Sequence, residues 1–366
     1  KDTNVTVAPR PDETLPITES GNEWPNRYML LSRQALVGWL MAGVGWQPHR
    51  AIRFGASFGS GFFTITNKSM VQVQGGSFKS QEVVNTITAN DWFLPRATVS
   101  MVAQPADSIE LFANLMYQSD AHATGHADQV ANGIQGAPRT DCYSDKPGPN
   151  CRINGAKLTV PFPTFETTLG FRYADRRRAR ERVLDPMKDE RWDIALEGFW
   201  SQTSHVDNFT LNLFDANLPM DKRPGIQASS NLDTSRLPIQ QSVVIPHRWK
   251  DTFGARVGGD WNVVPETLSV RLGLSYSSNA VRPGYANIDS FPMQRIGLHA
   301  GLTLAHGRQK ITLAYAHLFY TPITVGVGDG KVPAIAAVSP QAALPVNEGY
   351  YQAMVDVISL QSNLSF

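Results

Sequence analysis

An alternation of apolar and polar residues with a period of two constrains this chain more than any other feature of its sequence. Between 267 and 276 the even positions are Leu268, Val270, Leu272, Leu274 and Tyr276, whereas the odd positions are small or polar. Alternate residues of a β-strand face opposite sides of a sheet, so the pattern predicts a strand with one apolar face. No segment of the sequence sustains the helical period instead.

The same alternation recurs along the chain and predicts about eleven strands. These strands are expected at 28–48, 51–66, 84–105, 108–120, 155–175, 189–205, 247–264, 267–281, 292–306, 309–322 and 350–366. Tight turns and a medium charged turn at 176–188 alternate with long stretches at 67–83, 121–154, 206–246, 282–291 and 323–349, which we expect to be loops. Short turns on one rim and long loops on the other are typical of an outer-membrane barrel.

Strand length and composition favour the same architecture. The strands reach or exceed the ~9–11 residues that cross a bilayer at a tilt, whereas the longest apolar run, 35–46, is below the ~18 residues of a spanning helix. Lys plus Arg is 33 against 32 for Asp plus Glu, a balance that argues against nucleic-acid binding. A soluble β-sandwich would have shorter strands and polar outer faces. We therefore predict an all-β fold, a transmembrane antiparallel barrel, with 1–366 as one domain.

Several segments carry a resemblance to a known family. The clearest is Asp289-Ser-Phe-Pro-Met-Gln-Arg295-Ile-Gly-Leu-His-Ala-Gly301-Leu-Thr, continued by Ile311-Thr-Leu-Ala-Tyr-Ala-His-Leu-Phe. Together with 27–28, 36–46, 52–58 and 249–276, these segments resemble the FadL family of outer-membrane transporters for hydrophobic compounds such as long-chain fatty acids. The resemblance implies a fourteen-stranded barrel with an N-terminal hatch, of which this chain supplies about eleven strands.

The resemblance also implies that something is missing before the first strand. Residues near 28 resemble the family's fourth strand, so the hatch and three strands have no counterpart, and 1–27 is expected to be an extracellular loop. With eleven strands, the first and the last run in the same direction and would pair in parallel, whereas such barrels are antiparallel with even strand numbers. We expect a missing N-terminal portion or a partner protein to complete the barrel.

The function implied by the resemblance is passive uptake of hydrophobic small molecules across the outer membrane of a Gram-negative bacterium. Outer-membrane lipids and a hydrophobic ligand are the expected partners, and neither enzymatic activity nor a cofactor is expected. Ser57 lies in a Gly-x-Ser-x-Gly sequence, but in mid-strand rather than at a strand-to-helix turn. Two alternatives are a structural barrel in a multiprotein surface assembly and an aqueous porin.

Charged residues on the polar strand faces are predicted to line the lumen. They are Arg53, Glu110, Arg172, Asp193, Glu197, Arg256, Asp260, Arg271 and Arg295. An inward Arg could anchor the carboxylate of a fatty-acid-like ligand through charge-assisted hydrogen bonds. Arg271, Arg295 and Arg256 are the candidates for this role, and the alternative is that the charges neutralise one another.

Two groups of residues in the expected outer loops could bind metal or form a disulfide. Cys142 and Cys151 enclose eight residues and predict a disulfide, with a metal pair or free thiols as alternatives. The sequence around 120–128 brings together His122, His126, Asp120 and Asp128. These side chains suit zinc or another divalent ion, although a solvated loop is the default interpretation and no metal site is favoured.

Two outer stretches are unusually apolar, and the turn at 176–182 is rich in Arg. The apolar residues are Phe209, Leu211, Leu213 and Phe214 in one stretch, and Val332, Ile335, Val338, Leu344 and Val346 in the other. They could form a capture groove for a hydrophobic ligand, pack inward as a lid, or dock another protein. The Arg-rich turn could meet lipid phosphates or a partner, or be a solvated turn.

Overall fold

The computed structural model describes residues 7–8, 30–72, 82–131, 152–179, 185–214, 242–288, 292–333 and 345–364. Nearly all of this part is β-strand, as the alternation predicts. Its helical segments are α1 (Pro186–Asp189) and 3-10 turns at Thr203–His205 and Pro283–Tyr285. None of the helices in these ranges is long and apolar enough to cross a membrane.

Fifteen of the described strands form one antiparallel sheet, and three short ones form a second. In chain order the strands are β1 (Val7–Ala8), β2 (Ser32–His49), β3 (Ile52–Gln72), β4 (Glu82–Ala106), β5 (Ile109–Gln118), β6 (Ala121–Ala131), β7 (Arg152–Val160), β8 (Phe165–Arg176), β9 (Glu190–Ser201), β10 (Asn208–Phe214), β11 (Ser242–Pro246), β12 (Thr252–Val264), β13 (Leu268–Ser277), β14 (Arg295–His306), β15 (Gln309–Tyr320), β16 (Ile323–Val325), β17 (Gly349–Tyr351) and β18 (Met354–Leu364).

Eleven of these strands form a continuous wall and confirm the predicted strands, except that the single strand expected at 155–175 is divided into β7 and β8, of which β8 alone belongs to the wall. Neighbours pair in the order β2, β3, β4, β5, β8, β9, β12, β13, β14, β15 and β18. Tight turns join β2 to β3, β4 to β5, β12 to β13 and β14 to β15 at one end of the wall. Among the described residues β2 pairs only with β3 and β18 only with β15, so these two strands are the wall's edges.

The alternating apolar and polar residues lie on opposite faces of the wall. The outer face of β13 carries Leu272 and Leu274, which are 68% and 53% exposed, and similar apolar side chains continue on the neighbouring strands. The inner face carries Arg271 and the other polar residues of the strand. Large apolar groups that are exposed to this extent suit a lipid surrounding, since lipid removes the cost of contact with water.

Beyond the wall, four strands branch off towards the long-loop end. The first half of β4 pairs with β6, followed by β7, β10 and β11, while its second half pairs with β5. The expectation that 121–154 and 206–246 are loops throughout is therefore wrong for β6, β10 and β11. These strands continue the wall strands after a short interruption.

The interruptions lie at one height, which we call the break line: residues 119–120, 161–164, 202–207 and 247–251. At the break line, side-chain carboxylates accept hydrogen bonds from backbone N–H groups that would otherwise donate to a neighbouring strand. Asp120 accepts the Phe162 N–H at 3.2 Å, and Asp251 accepts the Ser204 N–H at 3.1 Å. Asp91 on β4 accepts the His122 N–H at 2.7 Å. Polar side chains thus satisfy backbone groups where the strands stop pairing.

Two apolar cores fill the long-loop end. One lies within the branch and includes Phe63, Ile87 and Leu158. The other lies under the small sheet of β1, β17 and β16, where Tyr351 is 1% exposed. Beside this second core Asn347 donates from Nδ2 to the carbonyls of Gly284 and Ala286 and accepts the Val332 N–H. The loop segments at this end are therefore folded against one another.

Candidate functional site

The inner face of the wall collects the charged residues that the sequence predicted to face the lumen. Strand register places Glu110 opposite Arg172, Arg256 between Glu197 and Ser275, and Asp260 opposite Arg271. Arg295 pairs in register with Ser277 on the same face. The alternation of the strands therefore predicted the face of these residues correctly.

The strongest polar feature of this face is an ion-pair network around Arg172, near the short-turn end. Arg172 bonds to Asp193 and reaches Glu190 at 2.5 Å and Glu110 at 3.4 Å. Arg176 lies 2.6 Å from Glu110 and 3.0 Å from Glu190. The side chains of Arg176 and Glu190 are 5% and 3% exposed, so this network is largely withdrawn from water.

The Arg-rich turn is thus only partly the solvated turn that the sequence allowed. Arg176 is buried in the network, and Arg178 pairs with the buried carboxylate of Asp189 at 3.3 Å. The helix α1 follows residues 180–184, which lie outside the described ranges, and Asp185 caps this helix and binds Lys310 at 2.7 Å. Met187 is buried beneath, and Asn262 donates to the Pro186 carbonyl. This segment forms a floor across the inner face.

The three candidate anchors differ in their partners. The Arg271 Nε lies 2.8 Å from both oxygens of Asp260. Arg256 bonds to Glu197 and stacks over the Phe199 ring. Arg295 contacts the Tyr320 hydroxyl at 3.3 Å, and no carboxylate among the described residues is recorded beside it. Two of the three predicted anchors therefore already hold a carboxylate of the protein.

Above the floor, small residues leave a hollow in the inner face. Gly273, Gly301, Ala314 and Ala316 line a space of about 330 Å³, which His299, Asp260 and Arg271 border. The His299 Nε2 lies 2.9 Å from the Ser275 hydroxyl. We call this space the lumenal hollow. It is formed by side chains that are too small to fill the wall's inner layer, on three adjacent strands.

Between the lumenal hollow and the floor lies a second space of about 290 Å³, the polar pocket. Four neutral residues face it in one row across four strands: Ser269, Thr303, Thr312 and Gln361. Asp260 and Arg271 border both spaces. The candidate ligand residues predicted from the sequence include neither this row nor His299, although both lie at polar positions of the alternation.

The outer face holds a concave surface of about 1050 Å³, larger than the lumenal hollow and the polar pocket. Trp192, Val257, Trp261 and Leu298 contribute to it, and their side chains point away from the inner face. Because this groove belongs to the exposed apolar side of the wall, we assign it to the lipid-facing surface rather than to the ligand site.

The described residues of the two apolar outer stretches lie apart from this site. Leu211 and Leu213 are buried in the branch core, and Phe209 packs against it. Of the three alternatives for these residues, inward packing is the one that agrees with this burial. They belong to β10, so their assignment to a loop is wrong, whereas the side chain of Phe214 lies outside the described residues. Val332 and Val346 are buried at the long-loop end, and Ile335, Val338 and Leu344 lie outside the described residues.

The His and Asp residues around 120–128 do not assemble into a metal centre. Asp120 pairs with His205 at 3.0 Å, and His126 lies 3.5 Å from Asp128, which also binds Arg152 at 2.7 Å. The described residues contain no group of three or more ligands that could hold an ion. His122, His126 and Asp128 lie in strand β6 rather than in the loop expected for them. Cys142 and Cys151 fall outside the described residues.

Comparison with known proteins gives matches among solved structures alone. No family model and no curated protein matches the sequence. A FadL homologue of Pseudomonas aeruginosa superposes with a TM-score of 0.64 at 13% identity, over 93% of this chain and 70% of that one. The toluene transporter TbuX of Ralstonia pickettii gives 0.52 at 12% identity, over 91% and 69%. The toluene transporter TodX of Pseudomonas putida gives 0.53 at 13%, over 90% and 69%.

These similarities concern the fold, because the identities are low. They cover the wall and its branch almost completely, and they agree with the order of elements that the sequence predicted. The chain therefore has the outer-membrane β-barrel fold of the FadL-type channels.

Proposed function

We propose that this protein is an outer-membrane channel for the passive uptake of hydrophobic small molecules in a Gram-negative bacterium. The observation that carries the proposal is the lumenal hollow. Gly301, Ala314 and Ala316 leave apolar space on an otherwise polar inner face, above a floor that separates this space from the short-turn end. The names of the similar structures, a FadL homologue and two toluene transporters, support the same class of cargo.

Two cargo chemistries are compatible with that class. For a long-chain fatty acid, Arg295 is the remaining candidate to bind the carboxylate, because Arg256 already binds Glu197 and Arg271 already binds Asp260. Arg295 lies at the long-loop end of β14, where a ligand arriving from outside would meet it first. For a compact hydrocarbon, no anchor is needed and the lumenal hollow alone provides the binding surface.

The test is to fill the lumenal hollow. Ala314→Phe places a ring in it, whereas Ala255→Phe adds the same ring on the outer face of β12, away from the lumenal hollow. We expect the inward variant to slow uptake about tenfold, because the ring takes space that the cargo would occupy, and a loss of about 1.4 kcal/mol in binding is a tenfold change. The outward control should transport normally. The measurement is uptake of radiolabelled toluene and hexadecanoate by outer-membrane vesicles that contain equal amounts of folded protein.

Equal uptake by both variants and the parent protein would contradict the proposal. The alternative function, a structural barrel within a multiprotein assembly, draws on the unpaired edges of β2 and β18 among the described strands. It predicts that neither variant changes uptake and that the protein is isolated with a stoichiometric partner.

A further inference from the structure

The polar pocket has a chemical character distinct from the rest of the inner face, and it carries the further inference. Six charged side chains line it, and each of them forms an ion pair. Asp185 binds Lys310 and Asp260 binds Arg271, while Glu190 and Asp193 both bind Arg172. With Glu110, Arg172 and Arg176 of the same network included, five carboxylates meet four cations, so the pocket has no free cation that would attract an anionic group.

The neutral row across the pocket has hydrogen-bonding capacity that the protein does not use. Thr303 and Thr312 lie opposite each other with their hydroxyl oxygens 2.9 Å apart. Ser269 lies opposite Thr303 and is 1% exposed, and its Oγ has no hydrogen-bond partner. A buried hydroxyl without a partner is unusual in a folded protein, because losing its hydrogen bond to water is unfavourable.

The lumenal hollow adjoins the polar pocket at the right distance for one ligand to occupy both. Inner-face residues two positions apart on a strand are about 7 Å apart, so Gly301 lies about 7 Å from Thr303 along β14. Asp260 and Arg271 border both spaces. A head group at the neutral row would therefore place a compact apolar body against Gly301 and Ala314.

We propose that this site selects compact hydrophobic molecules that carry a neutral hydroxyl group, such as alcohols and phenols, over hydrocarbons and carboxylates of the same shape. The hydroxyl exchanges hydrogen bonds with Ser269 and its neighbours, and the apolar body fills the lumenal hollow. A hydrocarbon leaves Ser269 without a partner, and a carboxylate brings a charge to which the pocket offers no free cation. The inference rests on the proposed function and adds the substrate class.

The experiment compares three probes with one body: 2-phenylethanol, ethylbenzene and phenylacetate. Binding to the full chain, purified from outer membranes in detergent, is measured by equilibrium dialysis with radiolabelled probes. We expect the alcohol to bind about tenfold more tightly than either of the others, the usual effect of one hydrogen bond to a buried group. Ser269→Ala should remove most of that preference by weakening the alcohol alone. Ser277→Ala, on the same face of the same strand but four inner-face positions away, is the matched control and should preserve it.

Each other outcome counts against a specific claim. Equal binding of the alcohol and the hydrocarbon by the parent protein, or a preference that survives Ser269→Ala, would overturn the inference and leave the proposed function in place. Tightest binding of phenylacetate would also overturn it, since an uncompensated cation would then be present. Failure of all three probes to bind would overturn the proposed function itself. The comparison within the parent protein needs no variant, so a misfolded Ser269→Ala would not prevent a decision.

Discussion

Arg172 shows what a single residue contributes to the inner face. It contacts three carboxylates from two neighbouring strands, Glu110, Glu190 and Asp193, and its side chain is only 22% exposed. Removing a cation from such a group leaves several like charges together in a poorly solvated place. Arg256, by contrast, pairs with Glu197 alone and is 53% exposed.

We therefore expect Arg172→Met to lower the free energy of unfolding by about 3 kcal/mol. The matched variant Arg256→Met should lower it by less than about 1 kcal/mol, because an exposed pair is screened by water. Urea-induced unfolding in detergent micelles, followed by tryptophan fluorescence, measures both. Losses of the same size in the two variants would contradict the importance of the network.

The sequence could predict which face Arg172 occupies but not which partners it has. The face follows from the alternation within one strand. The partners depend on the register between strands that are distant in sequence, since Arg172 and Glu110 are separated by 62 positions. Arg176 illustrates the same limit. In sequence it belongs to a run of Arg residues that resembles a solvated turn, and only the pairing of β8 with β5 and β9 brings it to Glu110 and Glu190.

Among the elements, the strand interruptions at the break line depend on individual carboxylates. Asp251 precedes β12 and accepts hydrogen bonds from the Ser204 N–H and the Trp200 Nε1, both at 3.1 Å. Partial burial raises the pKa of Asp251, but the bonds from Ser204 and Trp200 outweigh it and hold the pKa below its ordinary value. A carboxyl group with a lowered pKa stabilises the fold above its unfolded-state pKa.

Asp251→Asn should therefore lower the free energy of unfolding at neutral pH by up to about 1 kcal/mol, since the amide cannot accept both hydrogen bonds. The parent protein loses this advantage as the pH falls below the ordinary range of aspartate and the carboxyl takes up a proton. The difference between variant and parent should consequently shrink in acid. Unfolding curves at neutral and acidic pH test this, and a difference that stays constant with pH would contradict it.

The elements that the sequence did not predict share a physical cause. The eleven wall strands have large side chains on one face because that face meets lipid, and this makes their alternation visible. In β6 the inward face consists of the buried Ala121, Ala123 and Ala127 and the half-buried Gly125. The backbones lie too close for larger residues, since a Cβ at Gly125 would lie 1.9 Å from the Thr88 carbonyl oxygen. Small residues give no hydrophobic period, so the strand resembled a loop.

For the whole molecule, the wall's two edges set a condition on closure. β2 and β18 both run from the long-loop end to the short-turn end, and neither has a second neighbour among the described strands. Backbone groups without partners are costly in hydrocarbon, so each edge needs pairing. If the wall closes on itself in antiparallel fashion, an odd number of strands from outside the described ranges must lie between these two edges.

We expect the edge strands to be covered when the protein is isolated from outer membranes. Hydrogen–deuterium exchange in lipid nanodiscs should show amides of β2 and β18 protected as strongly as those of β13 and β14, which have neighbours on both sides. The central strands serve as the internal control. Rapid exchange along β2 and β18 alone would contradict closure of the wall.

The break line has a consequence for how such a protein can change over time. β5, β8, β9 and β12 are separated from β6, β7, β10 and β11 at the break line, so the register of the branch reaches the wall mainly through β4, which pairs with both β6 and β5. An insertion in the branch need not propagate into the wall strands below it. The part of the molecule that faces the surroundings can thus diversify under selection by phage, antibodies or new nutrients, while the part embedded in the membrane keeps its geometry. Chimeras joined at this line are the natural way to exchange one exterior for another.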